Sequence, residues 1–372
     1  MKTWLSVLPL SLLLASCAVA PPSADDSAAL RPKVIAAKWT KTSAEPFRGK
    51  QDDVFFLDPN IGWYVNGAGK LYATRDGGAT WKLLWDKPGT FFRTVAFVDE
   101  KHGYIGNVGT DYFPDVKDET PLYETRDGGA TWKPTRLPTF VKGLCAIDIA
   151  HVDFINHGVL ARRTMIHAAG RVGGPPALLR SLDGGATWKS IDLSTLVGPV
   201  LDVKFLDENV GFVMAGSIAA ELKDSRAVIL KTTNGGATWR EVYRGARGHE
   251  ITWKGSFPSA KVGYVTIQSY DPDKTNTRRW VAKTIDGGDT WREIALDDDH
   301  AVRQFGVAFA TPDIGWVGVI DGAYQTTDGG ASWRKVPADD IGRAVNKLRV
   351  LRADAGFVAY AVGTNVAKFE AR

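Results

Sequence analysis

The sequence predicts an all-β fold, a seven-bladed β-propeller with four antiparallel strands in each blade, and two repeated motifs support this prediction. A turn of the form S/T-x-D/N-G-G-x-T/S-W occurs six times, at intervals of 42 to 56 residues. Its acidic or amide position is occupied by Asp76, Asp127, Asp183, Asn234, Asp286 and Asp328. A glycine followed by an apolar run occurs seven times, at Gly62, Gly103, Gly158, Gly211, Gly263, Gly315 and Gly356. Each unit is therefore predicted to run strand, turn, strand, loop, strand, DGG turn, strand.

The two ends of the chain explain why there are seven glycine motifs and six DGG turns. After Gly356 the sequence runs out at FVAYAVGTNVAKFEAR, so the last unit has three predicted strands and lacks its fourth. Ala37–Thr42 matches the segments that follow the DGG turns elsewhere, with Trp39 in the tryptophan position. We therefore predict that this N-terminal strand pairs with Val362–Phe369, completes the last blade and removes the exposed sheet edge. The propeller domain is predicted to span residues 37–372.

The residue types of the DGG turn suit a tight hairpin. The Asp or Asn oxygen can accept backbone N–H bonds, the paired glycines can adopt positive φ, and the following Thr or Ser can add a local bond. The tryptophan that ends each turn is predicted to pack between blades, where a large ring buries much apolar area. These tryptophans are Trp81, Trp132, Trp188, Trp239, Trp291 and Trp333.

Six repeated carboxylates could also indicate catalysis or calcium binding, but one turn carries Asn234 instead of aspartate. Hydrogen-bond acceptance survives that exchange, whereas acid–base chemistry does not. A structural role is therefore predicted for these side chains. The six histidines show no metal-ligand spacing, and neither HExxH nor CxxC occurs, so no catalytic residue, metal or cofactor is predicted.

The N-terminal segment is predicted to direct export. Lys2 is followed by an apolar stretch, and residues 14–17 read Leu-Ala-Ser-Cys, which resembles the lipobox of bacterial lipoproteins. Residues 1–16 are accordingly interpreted as a lipoprotein signal peptide, Cys17 as the lipidated residue, and 17–36 as that cysteine with a flexible tether. The alternative is an ordinary secretory signal cleaved near Ala18–Ala20. Because Ala18 is not the aspartate associated with inner-membrane retention, the periplasmic face of the outer membrane is the favoured location.

Composition limits the classes of partner. The formal net charge is +4, which is too modest to indicate nucleic-acid binding. With Cys17 acylated, Cys145 has no cysteine left to pair with, and its apolar surroundings in the sequence indicate a buried thiol. The domain is expected to be a monomer.

The S/T-x-D-G-G-x-T-W turns resemble the Asp-box, or bacterial neuraminidase repeat (BNR). Combined with seven blades and a lipoprotein leader, they resemble the photosystem II stability/assembly factor-like propellers over essentially the whole mature domain. The resemblance implies a binding or assembly scaffold that recognises a protein partner, with a membrane protein or a glycan as the classes considered. It does not by itself imply a photosystem partner, because the motif is specific for fold and poorly specific for activity.

A glycoside hydrolase, sialidase-like or otherwise exo-acting, is the alternative on the same propeller. A sialidase would carry Arg-Ile-Pro near the start of its propeller, where this chain has Phe47-Arg48-Gly49-Lys50. Xyloglucan-type hydrolases share the Asp-box but place their cleft between two propellers, and one is predicted here. The sequence does not indicate which two carboxylates would converge.

The expected partner surface is the face opposite the Asp-box turns, where second-to-third strand loops and inter-blade loops emerge. Three such loops are expanded, at residues 109–121, 162–176 and 268–280. They and the starts of the inner strands supply arginines and aromatic residues, the types that anchor interfaces. The candidates are Arg93, Tyr112, Phe113, Arg162, Arg163, Arg171, Trp253, Tyr270, Arg278, Arg279, Trp280 and Arg303. The alternative is that these loops are ordinary solvated surface.

Overall fold

The computed structural model describes residues 24–139, 141–156, 159–170, 175–353 and 356–371. They form seven separate four-stranded antiparallel sheets, which confirms the predicted seven-bladed propeller. A helix, α1 (Ala24–Ala36), and a short strand, β1 (Trp39–Lys41), precede the first blade. Buried apolar side chains fill the spaces between neighbouring blades.

The strands of each blade follow one another in the chain. Blade 1 comprises β2 (Gln51–Phe56), β3 (Gly62–Asn66), β4 (Lys70–Thr74) and β5 (Lys82–Asp86). Blade 2 comprises β6 (Phe92–Phe97), β7 (Gly103–Asn107), β8 (Leu122–Thr125) and β9 (Lys133–Pro134). Blade 3 comprises β10 (Ala146–Asn156), β11 (Val159–Gly170), β12 (Ala177–Ser181) and β13 (Lys189–Asp192). Blade 4 comprises β14 (Val200–Phe205), β15 (Gly211–Gly216), a 3₁₀ turn (Leu222–Asp224), β16 (Ala227–Thr232) and β17 (Arg240–Arg244).

The remaining blades keep the same order, and the last one draws its outer strand from the other end of the chain. Blade 5 comprises β18 (Glu250–Ser256), β19 (Gly263–Ser269), β20 (Arg279–Thr284) and β21 (Arg292–Asp297). Blade 6 comprises β22 (Gln304–Phe309), β23 (Gly315–Val319), β24 (Gly322–Thr326) and β25 (Arg334–Val336), and α2 (Ala338–Ile341) follows it. Blade 7 comprises β26 (Lys347–Ala353), β27 (Gly356–Val362), β28 (Val366–Ala371) and β1.

The ring closes as predicted, with the N-terminal strand on the C-terminal blade. β1 pairs antiparallel with β28, and Trp39 lies opposite Phe369. Only 4% of Trp39 is exposed, and its ring meets those of Trp316 and Phe369 at centroid distances of 5.6 and 5.4 Å. The strand therefore joins the two chain ends through both backbone pairing and aromatic packing.

Helix α1 lies within the segment that was predicted to be a flexible tether. Its Val34 is fully buried and Leu30 packs beside it, both against the cluster shared by blades 6 and 7. The Ser27 hydroxyl also donates to the Thr311 hydroxyl at 2.7 Å. Apolar side chains at i and i+4 share one helix face, which is why this part of the segment docks onto the propeller.

The blade glycine is required by an aromatic ring of the inner strand. A Cβ built on Gly103 would stand 2.5 Å from the Phe97 ring, and the same contact recurs at Gly62, Gly211, Gly263 and Gly315. Phe97 also stacks on Trp63 of the preceding blade at 3.7 Å, while Trp132 meets it edge-on at 88°. The predicted tryptophans thus contact the interfaces between blades, and they are half-buried there.

Two of the seven glycine motifs were placed wrongly by the sequence pattern. In blade 3, Ile166 pairs with Ser181, just as Gly103 pairs with Thr125 in blade 2. The glycine position of blade 3 is therefore occupied by Ile166 rather than by Gly158. In blade 7, Tyr360 stacks on Phe56, so the glycine position is Ala359 rather than Gly356. The reason is that the inner strands carry Ile149 and Val350 where the other blades carry phenylalanine. Where no aromatic ring covers the glycine position, a residue with a side chain fits there. Gly158 itself lies outside the described residues.

A belt of side-chain hydrogen bonds links the inner strands. In each case a polar side chain of one inner strand accepts the backbone N–H of the next blade's inner strand. The accepting and donating residues are Asp53 and Val95, Thr94 and Ile147, Asp148 and Phe205, Asp202 and Gly255, and Ser256 and Phe309. The belt satisfies backbone donors that a central channel would otherwise leave unpaired.

Candidate partner-binding site

The two faces of the ring differ in what they present. Strands alternate in direction, so the DGG turns and the first-to-second strand turns share one end, here called the Asp-box face. Loops between second and third strands and between blades form the opposite end, here called the loop face. The inner strands enclose the central channel and begin at the loop face.

The mouth of the channel on the loop face holds a cavity of about 150 Å³. Residues from three blades line it: Lys50, Asp52, Phe91, Arg93, Val108, Tyr112, Phe113 and Trp253. Tyr112 and Phe113 are 39% and 42% exposed, and Phe113 stacks on Phe91 at 4.4 Å. The mouth therefore combines an aromatic wall with basic groups, the composition expected of an interface anchor.

Buried polar contacts hold the floor of the mouth in place. The Arg93 guanidinium forms an ion pair with the fully buried Asp52 carboxylate. Burial lowers the pKa of Arg93, but interactions with Asp52 and Cys145 together raise that pKa above its usual value, so this arginine stays protonated. Asn346 donates to the Asp52 carbonyl at 2.7 Å and accepts from the Trp253 indole at 3.2 Å. Trp253 is thereby fixed as an aromatic platform beneath Arg93, whose guanidinium carbon lies 5.4 Å from the ring centroid.

Two further cations at the mouth lack a strong acidic partner. The Arg303 guanidinium hydrogen-bonds to no described residue, its Nε is buried without an acceptor, and it lies over Tyr270 and Phe305. Lys50 donates to Asn346 at 3.1 Å, but its nitrogen stays 3.8 Å from Asp52. Burial lowers the pKa of Lys50 to about 8, opposed by Asp52. The mouth therefore has donors available for an anionic group.

The structure brings half of the sequence-predicted partner residues to this mouth. Arg93, Tyr112, Phe113 and Trp253 line the cavity, while Tyr270 and Arg303 stand beside it. These six residues belong to the inner strands and loops of blades 2, 5 and 6. Together with Lys50 and Phe305, these six residues form the candidate site, which is here called the mouth cluster.

Three other predicted residues lie on the loop face at the rim of blade 5. Arg278 pairs with Asp298 at 2.7 Å and lies over the Trp280 ring. Arg279 is 3% exposed and donates to the backbone carbonyls of Val302 and His300. Arg279 is therefore a loop anchor, because its guanidinium donors are already used by backbone carbonyls, and Arg278 is held by its ion pair.

Arg162 and Arg163 were predicted on the wrong face. They lie in the outward extension of the β10–β11 hairpin, where Asp153 pairs with Arg162 across the strands. Arg163 pairs with Glu208, which lies in a first-to-second strand turn of blade 4. Both arginines are therefore at the Asp-box face, because the misplaced Gly158 motif assigned this hairpin to a second-to-third strand loop. Arg171 lies outside the described residues.

Sequence reasoning missed Lys50, Asp52, Phe305 and Asn346. Each stands at the start of an inner strand, as Arg93 and Trp253 do. The signal was the recurrence of a charged, aromatic or amide residue at that register, but this signal can be recognised only once the inner strands are known to converge.

The Asp-box side chains are engaged within their own turns. Asp76 accepts the Thr80 amide at 2.9 Å and the Thr80 hydroxyl at 2.5 Å, and Thr74 adds a further bond. These bonds, the Thr80 hydroxyl foremost, lower the pKa of Asp76 to about 2. In the turn with asparagine, the Asn234 amide donates to the Thr238 hydroxyl at 2.8 Å, so the hydroxyl reverses its role and the bond survives. The turn glycines adopt positive φ, 67° and 88° in the first turn.

The hydrolase alternative requires two carboxylates facing one cleft. The acidic residue lining the mouth cavity is Asp52, which is ion-paired and buried. Burial raises the pKa of Glu250, but this side chain is 3% exposed and pairs with Arg247 at 2.8 Å. The described part of the mouth therefore offers no accessible acid and base pair. Within the described ranges, no group of His, Cys, Asp and Glu side chains is placed to hold a metal ion.

Cys145 is buried at the start of the blade 3 inner strand, with a free thiol. In the part of the chain that the structure describes, no helix has both the length and the apolar character needed to cross a bilayer.

Comparisons with known proteins agree with this geometry. A family model described as photosynthesis system II assembly factor YCF48 matches residues 88–271, about half of the chain. The photosystem II stability/assembly factor HCF136, chloroplastic, of Oryza sativa subsp. japonica is 27% identical over 161 residues, 42% of this chain and 32% of that protein. Its counterpart from Arabidopsis thaliana is 27% identical over 158 residues. The chain thus spans about a third of the length of these relatives, and the predicted family resemblance is confirmed.

Solved propellers share the fold at low identity. YCF48 from Cyanidioschyzon merolae has a TM-score of 0.62 at 17% identity, with 90% of this chain and 99% of that chain covered. YCF48 bound to D1 peptide has a TM-score of 0.58 at 17% identity, with 90% and 95% covered. An ancestral GH74 enzyme has a TM-score of 0.60 at 16% identity, but only 45% of that chain is covered. At these identities the likeness shows the fold alone.

Proposed function

We propose that this propeller, similar to the photosystem II stability/assembly factors, is a lipid-anchored periplasmic scaffold that binds an extended segment of another protein at its mouth. The relatives' description as stability/assembly factors and the YCF48 structure bound to D1 peptide support a protein partner. The sequence around Cys17 supports the lipid anchor. A membrane protein is the favoured partner, because the anchor would hold the mouth near the bilayer.

The observation that carries the proposal is the unpaired guanidinium of Arg303 within an aromatic surround. A buried donor without an acceptor is costly, so an incoming carboxylate would relieve that cost while forming a charge-assisted bond. Lys50 lies over the same Phe305 ring at 5.2 Å and adds a second positive charge. The rings of Trp253 and Phe113 can pack against the apolar side chains that flank the carboxylate. The segment should therefore carry an acidic group beside apolar residues.

Site-specific crosslinking tests this function in the native host. A benzophenone amino acid replaces Phe113 at the mouth in one variant and Ile285 on the Asp-box face in the other. Ile285 is 62% exposed, so both probes are accessible to a partner. The probe at 113 is expected to crosslink one defined segment of another protein, identified by mass spectrometry, and the probe at 285 is not.

A second substitution links any crosslink to the mouth chemistry. Arg303→Gln in the 113 variant is expected to reduce the crosslink strongly, because the guanidinium is the anchor for the carboxylate. Arg278→Gln is the matched control, since Arg278 is on the same face and already pairs with Asp298. Equal crosslinking from position 285, or no effect of Arg303→Gln, would show that the mouth is not the recognition surface.

A further inference from the structure

The other end of the central channel, toward the Asp-box face, holds a separate cavity of about 210 Å³. Inner strands of blades 4 to 7 line it, and its charged lining residues are Asp202, Lys204, Lys254, Lys347 and Arg349. None of these residues belongs to the mouth cluster. The cavity is therefore a distinct site within the same channel.

Three aspartates around this cavity each use one carboxylate oxygen in the hydrogen-bond belt. Asp53, Asp148 and Asp202 each give one carboxylate oxygen, Oδ2, to a backbone N–H of the next blade. Their other oxygen, Oδ1, faces a lysine in every case: Lys347, Lys204 and Lys254 respectively. The carboxylates thus have little capacity left to neutralise further positive charge.

Four basic side chains line the cavity beside those three carboxylates, and two of the four, Lys347 and Arg349, keep donors without an acceptor among the described residues. Lys347 forms no hydrogen bond to a described residue, and its nitrogen is 3.7 Å from Asp53. Arg349 donates its Nε to the Val54 carbonyl at 3.0 Å and lies over the Phe55 ring, and no described carboxylate pairs with it. The terminal guanidinium nitrogens of Arg349 and the Lys347 ammonium therefore hold unused donors in the cavity.

The register of the strand directs these two donors to one place. Lys347 and Arg349 are two residues apart on β26, so they share one face of the strand. Lys254 enters from blade 5, where its nitrogen donates to the Leu201 carbonyl at 2.8 Å and lies 3.6 Å from Asp202. Its side chain is 5% exposed, so the positive charge on that wall is screened little by solvent.

We propose that the Asp-box end of the channel binds a small tetrahedral oxyanion, of which inorganic phosphate and sulfate are the representatives. The guanidinium fork of Arg349 suits two oxygens of such an anion, and the ammonium of Lys347 suits a third. A bound oxyanion would balance the excess positive charge beside β26.

Calorimetric titration of the intact protein with sodium phosphate, and separately with sodium sulfate, tests the proposal. Sodium chloride at matched ionic strength separates specific binding from screening. Saturable binding of one oxyanion per chain, with a rise in the unfolding midpoint that follows its occupancy, is expected. Heat indistinguishable from that of chloride would overturn the proposal.

Variants locate the anion. Arg349→Gln should weaken phosphate binding roughly tenfold or more, the effect of losing a charge-assisted hydrogen bond. Arg75→Gln is the matched control on the Asp-box face, where Arg75 pairs with Glu100 at 2.7 Å, and it should bind phosphate like the parent protein. Lys347→Met provides a second test should Arg349→Gln fail to fold. Phosphate binding that persists in whichever of these two channel variants folds, or that is lost in Arg75→Gln, would place the anion elsewhere and refute the site.

Discussion

Replacing Trp39 with alanine should destabilise the whole ring, although the residue lies in a strand of three residues. The side chain is 4% exposed and packs against the rings of Trp316 and Phe369. Truncating a buried tryptophan to alanine costs about 3–5 kcal/mol of the free energy of unfolding, through lost burial and the cavity left behind. The loss should affect every blade, because Trp39 closes the interface between the first and last segments of the chain.

The free energy of unfolding is measured by urea denaturation, followed in parallel by circular dichroism and tryptophan fluorescence. Lys41→Ala is the control in the same strand, since this exposed side chain should change stability by less than about 0.5 kcal/mol. Trp39→Phe should fall between the two, because it keeps a ring in the site. A loss below about 1 kcal/mol in Trp39→Ala, or a loss equal to that of Lys41→Ala, would refute the closure argument.

Three further predictions follow from the fold and the leader. Gly103→Ala should cost about 1–3 kcal/mol of unfolding free energy, because the added Cβ would stand 2.5 Å from the Phe97 ring. Gly245→Ala is the control and should be close to neutral in the same denaturation assay, since its Cβ would lie 3.4 Å from the nearest atom. Hydrogen bonds from a threonine lower the pKa of Asp127 to about 2, so the stability that the ionised carboxylate contributes is present above pH 4 and lost as pH falls toward 2. Asp127→Asn should therefore differ from the parent in melting temperature more at pH 7 than at pH 2. An equal difference at both pH values would contradict a hydrogen-bonding role for the ionised carboxylate. Cys17→Ala should abolish labelling by a clickable palmitate analogue in cells and move the protein to the soluble fraction, while retained labelling would exclude this cysteine as the lipidated residue.

The repeat made the architecture predictable, because six DGG turns with a tryptophan report the third and fourth strands of six blades. Ring closure was also predictable, since Trp39 appears in a segment that matches the outer strands. The glycine motif was a weaker guide, because it depends on the phenylalanine it faces. Where Ile149 or Val350 replaces that ring, the facing position no longer needs glycine, and a nearby glycine was mistaken for it.

The candidate site was only partly predictable for a related reason. Loop length and residue type identified Tyr112, Phe113 and Tyr270, but the first part of the longest apparent loop, with Arg162 and Arg163, proved to be a strand that begins at the other face. Lys50 and Asn346 are separated by almost the whole chain, yet their side chains meet at 3.1 Å. Such residues meet because the first and last blades become neighbours when the ring closes, and the sequence pattern does not show which of their side chains then come into contact.

Recognition at the mouth is tested most directly by the affinity of a synthetic peptide that carries the segment identified by crosslinking at position 113. Fluorescence anisotropy would measure its Kd for the parent protein, for Arg303→Gln and for the rim control Arg278→Gln. A roughly tenfold or greater rise in Kd for Arg303→Gln alone is expected, since one charge-assisted bond is lost. The same Kd for all three proteins would contradict the account.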